Sequence, residues 1–155
     1  MEGTCYCANP GEMRALGQEL AVRLTDGGVL ALDGDLGARK TELVKGLAAG
    51  LGYQGAVTSP TFTLLHEYHG SARPLFHFDF YRIGEADEIL DLGWDECIEQ
   101  GGVLAVEWAG RFPALLPATT IFLKIEIPPG GGRRISMVPC VTEESGHPAP
   151  RAEGG

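Results

Sequence analysis

The sequence predicts an α/β fold: a mixed, mostly parallel sheet with helices on both faces and a C-terminal antiparallel hairpin. Three observations carry this. The continuous apolar run Val29-Leu30-Ala31-Leu32 suits a strand buried on both faces. A glycine-bearing loop and a helical pattern follow it directly. Near the end, two alternating segments flank the turn Gly130–Gly132.

In chain order, Met13, Leu16, Leu20 and Leu24 recur at helical spacing, predicting a helix over 11–25. Asn9 followed by Pro10 is a cap and a first-turn proline, and Gly27-Gly28 stops the pattern. After the 29–32 strand, Leu43, Val44, Leu47, Ala48 and Leu51 mark a second helix. Residues 56–66 form a loop leading into a strand through Leu64–Tyr68, and residues 75–83, "LFHFDFYRI", are another strand. Residues 85–100 are helical in two pieces separated by Gly93. Residues 102–110 are a further buried strand ending in a carboxylate, Glu107, and residues 120–127 and 133–138 pair as the hairpin. A single domain over 1–141 and a polar, Pro- and Gly-rich disordered tail over 142–155 complete the expectation.

The net charge of −9 argues against a broad, direct grip on nucleic acid, which needs a basic face. No apolar run reaches the ~20 residues that span a membrane, and no secretory signal is visible, so a cytoplasmic protein is expected. Cysteines 5, 7, 97 and 140 lack a second pair at metal-ligand spacing and read as free thiols.

The chemistry concentrates in "LDGDLGARKTE", residues 32–42. It approximates the phosphate-binding loop G-x-x-x-x-G-K-[ST] in the order strand, loop, helix that such a loop requires. Backbone N–H groups of Gly34, Asp35, Leu36, Gly37, Ala38 and Arg39 converge on phosphate oxygens in such a loop. Lys40 reaches the phosphates and the Thr41 hydroxyl binds Mg²⁺. Arg39 replaces the glycine that lets phosphate approach, and a side chain forced to positive φ there costs about 1–3 kcal/mol. A guanidinium is nevertheless a good phosphate ligand. Glu42 adds an acid in the first turn of the helix. Arg39 and Glu42, three positions apart, are spaced to pair and neutralise each other.

The chain resembles the TsaE (YjeE) family of small bacterial P-loop ATPases of tRNA threonylcarbamoyladenosine (t6A) biosynthesis. The matching segments are "GDLGARKTELVKGLAAGLG" (34–52), "SPTFTLLHEY" (59–68), "HFDFYRI" (77–83), "EILDLGWDE" (88–96) and "VEWAGRFPALLP" (106–117), in family order. The resemblance implies a P-loop fold that binds and hydrolyses ATP to ADP with Mg²⁺. It implies TsaD and TsaB as partners, with tRNA reached through that complex. It also implies roles: Lys40 on the phosphates, Thr41 and Glu107 at magnesium, Asp79 orienting water or taking its proton, and Thr61 sensing the γ-phosphate. Asn9, Arg133 and Arg134 align with regions that flank the adenine. Glu42 also replaces a threonine of the family pattern. Trp108 reads as core or partner surface without direct chemistry. Two other readings stand beside this one. One is a degenerate, nucleotide-independent binding module. The other is a small-molecule kinase, which would need an arginine-bearing lid that this chain lacks.

Overall fold

The computed structural model describes residues 3–24, 27–34, 39–60 and 63–138. Among them, seven strands form one sheet in the order β1-β7-β6-β2-β5-β4-β3. The strands are β1 (Thr4–Cys7), β2 (Val29–Gly34), β3 (Leu65–His69), β4 (Pro74–Asp79), β5 (Val103–Glu107), β6 (Ile121–Glu126) and β7 (Arg133–Val138). The four central strands, β6, β2, β5 and β4, run parallel. The edges are antiparallel, with β1 and β7 on one side and β3 on the other. The mixed sheet and its closing hairpin follow the sequence expectation.

Helices cover both faces. α1 (Pro10–Arg23) and α2 (Lys40–Gly50) lie on one; α3 (Ala86–Asp91) and α4 (Trp94–Glu99) lie on the other. β2 shows why the apolar run is continuous: Leu30 and Leu32 pack with α1 and α2, while Val29 and Ala31 pack with Trp94 and the phenylalanines of β4. Both faces are dry, so alternation has no reason to appear.

α1 opens on a reciprocal cap. The Glu12 N–H donates to Asn9 Oδ1 at 2.9 Å, and the Ala8 N–H donates to Glu12 Oε1 at 2.7 Å. α1 and α2 then meet backbone to backbone. A Cβ on Gly17 would lie 2.6 Å from Leu47 N, and one on Gly46 would lie 2.6 Å from Arg14 C. The glycines thus set the closeness of the helix pair, and Leu16, Leu20, Leu43, Val44 and Leu47 close over the sheet beside it.

Three elements differ in extent from the sequence expectation. The 75–83 strand stops at Asp79, because Phe80 turns its N–H to Glu107 O and Ile83 folds back onto Phe80 O. The 102–110 strand stops at Glu107, after which Ala109–Arg111 coils into a 3-10 turn. β1 is an added strand, held by pairing of Thr4–Cys7 with Ser136–Arg133. The expected tail, Cys140, and loop residues Asp35, Leu36, Gly37, Ala38 and Thr61 lie outside the described residues. Cys5, Cys7 and Cys97 are free thiols, and burial pushes those of Cys7 and Cys97 up to about 11.

Candidate functional site

The candidate site lies along the carboxyl end of the parallel strands, where open α/β sheets place their ligands. Register puts the site residues in a row. Asp79 on β4 stands opposite Glu107 on β5, and Glu107 stands opposite Leu32 on β2. Gly34, two residues on, pairs with Ile125, and Glu126 pairs with Arg134. Arg133 faces Cys7, two residues before Asn9. The residues expected around the adenine therefore share one end of the sheet with the acids and the lysine. Asn9 is committed to capping α1, Arg133 donates to Gly132 O at 2.7 Å, and exposed Arg134 donates to Glu126 at 3.3 Å.

Lys40 is the first residue of α2. Its Nζ donates to Gly34 O at 2.6 Å and lies 3.4 Å from Glu107 Oε1. Glu107 is 6% exposed, and its other oxygen, Oε2, accepts from His77 Nε2 at 2.7 Å. Burial alone would push the Glu107 carboxyl up, but the His77 hydrogen bond and the Lys40 charge outweigh it and hold the group below the usual carboxylate range. Asp79 differs. Burial pushes it up, the Tyr81 N–H that it accepts at 2.9 Å pulls it back, and the neighbouring Glu107 charge adds to the rise. Two adjacent carboxyls thus have their proton affinities driven apart, the pattern of a site that handles charge and protons.

His77 and Trp108 are site neighbours that the sequence reading did not place. The signal for His77 was present: it and Asp79, two apart on one strand, face the same way at the strand end. Trp108, read as core or partner surface, is half-buried with its ring centroid 6.0 Å from Lys40 Nζ and 4.9 Å from the Tyr81 ring.

Thr41 is half-buried in the first turn of α2, beside Lys40. Among the described residues no three His, Cys, Asp or Glu side chains gather to hold a metal ion by themselves. A hydroxyl and carboxylates beside a lysine are hard oxygen donors of the kind that fit Mg²⁺.

Arg39 has φ 70° and ψ 34°, so the left-handed backbone expected at a glycine position is present and carries a side chain. Leu64 (φ 72°) and Trp108 (φ 59°) are the other non-glycine residues at positive φ among those described. All three adjoin the site. Arg39 precedes Lys40, Trp108 follows Glu107, and the Asp79 N–H donates to Leu64 O at 3.0 Å. Backbone strain gathers where the candidate chemistry is. Replacing Arg39 by glycine should relieve about 1–2 kcal/mol of strain against about 0.4–1 kcal/mol from a looser unfolded chain. The expected result is a small net gain in denaturation midpoint; a clear loss would show that the Arg39 side chain itself stabilises the fold.

The expected Arg39–Glu42 pair does not form. Both Glu42 oxygens are engaged elsewhere: Oε1 by Arg14 of α1, and Oε2 by Lys45 at 3.1 Å. The reason is tertiary. Arg39 is exposed ahead of the helix, whereas Glu42 lies on the α2 side that Arg14 of the packed α1 can reach. Burial alone would push the Glu42 carboxyl up, but Lys45 and Arg14 outweigh it and hold it low. A lowered native value means that the unfolded chain takes up the proton first on acidification. Glu42→Gln should therefore cost about 0.5–1 kcal/mol at neutral pH, and the difference should vanish as pH falls below the usual carboxylate range. Urea melts at pH 7 and pH 3 check this.

Fold and site together define a mixed α/β protein whose lysine and paired acids gather at the carboxyl end of its parallel strands. A family model described as "Threonylcarbamoyl adenosine biosynthesis protein TsaE" matches residues 7–135. The tRNA threonylcarbamoyladenosine biosynthesis protein TsaE of Treponema pallidum is 43% identical over 114 residues, covering 74% of this chain and 84% of that protein. The Bacillus subtilis protein of the same name is 44% identical over 118 residues, covering 76% and 73%. The crystal structure of Bacillus subtilis YdiB superposes with a TM-score of 0.73 at 36% identity, covering 86% of this chain and 82% of that one. The chain belongs to the TsaE family.

Proposed function

We propose that this protein is an ATP-binding and ATP-hydrolysing component of the machinery that installs t6A on tRNA. In this reading it acts in the cytoplasm with TsaD- and TsaB-like partners. They hold the tRNA, in keeping with this chain's charge of −9, and its own ATP cycle supports their turnover. The observation that carries the reading is the junction of Lys40, Glu107 and Asp79 at the carboxyl end of parallel strands, with Thr41 beside Lys40 on α2.

The roles follow from the contacts. Lys40 exchanges Gly34 O and Glu107 for the β- and γ-phosphates of ATP and neutralises charge as it builds on them. Thr41 and Glu107 hold Mg²⁺, which when bound screens the phosphate oxygens. Glu107 suits this role because its partners keep it ionised. Asp79, with its proton affinity raised by burial, accepts a hydrogen bond from the attacking water and receives its proton. Thr61 contacts the γ-phosphate from the segment before β3. The loop N–H groups from Gly34 to Arg39 cradle the phosphates, and Glu42 stays bound to Arg14 and Lys45, turned from the anion. Asn9, Arg133 and Arg134 border the base.

Calorimetric titration with Mg-ATP tests the reading. Binding heat from the wild-type chain is the expected result. No heat from wild type, together with binding by Arg39→Gly, overturns it in favour of a partner-binding module that has lost its nucleotide. That second reading draws on one observation, the Cβ-bearing residue held at φ 70° where the loop calls for glycine.

A further inference from the structure

His77 is fully buried, yet it is polar and its Nδ1 has no hydrogen-bond partner among the described residues. An unsatisfied buried polar atom is destabilising. A leucine of comparable bulk would avoid that cost on a sheet face shared with Leu75 and Ala105. What distinguishes the histidine is its one bond, Nε2 to Glu107 Oε2 at 2.7 Å. A carboxylate only accepts, so Nε2 carries the hydrogen in that bond. The ring is held on β4, whose backbone is laddered to β3 on one side and β5 on the other. Glu107 ends β5, so the histidine reaches diagonally across to the neighbouring strand and grips one oxygen, Oε2, of its last residue. The other oxygen, Oε1, is left facing Lys40.

We propose that His77 is a positioning residue: it fixes the Glu107 carboxylate through Oε2 so that Oε1 is presented to the cation in the site. In the ligand-free protein that cation is the Lys40 ammonium. With nucleotide bound it is Mg²⁺, and the inference here rests on the proposed role of Glu107 as the magnesium-site acid. When Lys40 turns to the phosphates, His77 is the contact that keeps Glu107 in place. Hydrogen-bond partners behind a metal ligand orient it and set its affinity.

The test titrates Mg²⁺ at a fixed concentration of a non-hydrolysable ATP analogue and follows binding by calorimetry, with a parallel titration of the analogue in EDTA. The variants are His77→Leu, His77→Gln and Glu107→Ala. Removing the donor in His77→Leu should raise the half-saturating Mg²⁺ concentration by about tenfold, with the metal-free affinity essentially unchanged. His77→Gln places an amide N–H near the former Nε2 and should restore most of the loss. A normal Mg²⁺ requirement in His77→Leu, with a raised one in Glu107→Ala, overturns the role of His77 alone. A normal requirement in Glu107→Ala overturns the magnesium role of Glu107 and, with it, this inference. Thermal melting identifies a variant that has not folded. If His77→Leu does not fold, His77→Asn replaces it: the shorter amide falls short of Glu107, so the proposal requires Asn to show the raised requirement and Gln to escape it. Equal behaviour of Asn and Gln overturns it.

Discussion

Under the proposed function, replacing Glu107 by alanine should lower magnesium-dependent ATP hydrolysis by at least about tenfold, within the range for removing an electrostatic partner at a reacting centre. The carboxylate joins three parts of the site. It is the ion-pair partner of Lys40, the partner of His77, and the neighbour of Asp79 in register. Alanine leaves the Lys40 amine with Gly34 O and Trp108, and removes the Glu107 oxygen that accepts from His77 Nε2. Loss of that partner should also cost about 1–3 kcal/mol of stability, so melting curves must accompany the kinetics. Steady-state phosphate release at saturating Mg²⁺ and ATP is the measurement. Unchanged turnover by a folded variant would remove Glu107 from the site.

The largest effect on stability should come from Gly46→Ala. Helix propensity alone favours alanine by about 1 kcal/mol, so an isolated helix would gain. Here the sign reverses. The added methyl points at the Arg14 backbone, 2.7 Å from its Cα and 2.6 Å from its carbonyl carbon, where no flexible side chain can move aside. α1 must back away from α2, opening the layer that Leu16, Leu20, Leu43 and Leu47 close. Overpacking of this kind costs about 1–3 kcal/mol, occasionally more. Displacing α1 also draws Arg14 from Glu42, which releases an acid in the first turn of α2. Chemical denaturation should show a midpoint well below wild type, and a midpoint at or above it would contradict the packing.

Much of this was legible in the chain, for identifiable reasons. The apolar run of β2 and the spacing of Leu43, Val44 and Leu47 record burial directly, so the strand–loop–helix unit around Lys40 is written in residue type. Glu107 was visible as the carboxylate closing a buried run, and the family resemblance supplied its expected role. β1 was not legible: "TCYC" has no distinctive pattern, and its extended form comes from β7, which lies at the other end of the chain. The partner of Glu42 was misjudged for the same reason. Spacing along a helix nominated Arg39, whereas the packed helix pair supplied Arg14 from 28 residues away. His77 sat within the quoted "HFDFYRI", but its importance depends on which atom of β5 it meets, and only strand register supplies that.

The pairing of β1 with β7 has a consequence for the order in which the molecule can be completed. Thr4 and Ser136 share a side-chain contact across a separation of 132 residues. At typical elongation rates of about 5–20 residues per second, the first strand waits on the order of ten seconds for its partner to be made. During that interval the central parallel strands can assemble, while "TCYC" has nothing to pair with. The strand synthesised first is therefore among the last to join the sheet, and Cys7, two residues before the α1 cap Asn9, reaches its place opposite Arg133 only when the hairpin arrives. The end of the site expected to border the base is thus assembled late, after the lysine and the two acids already have their surroundings.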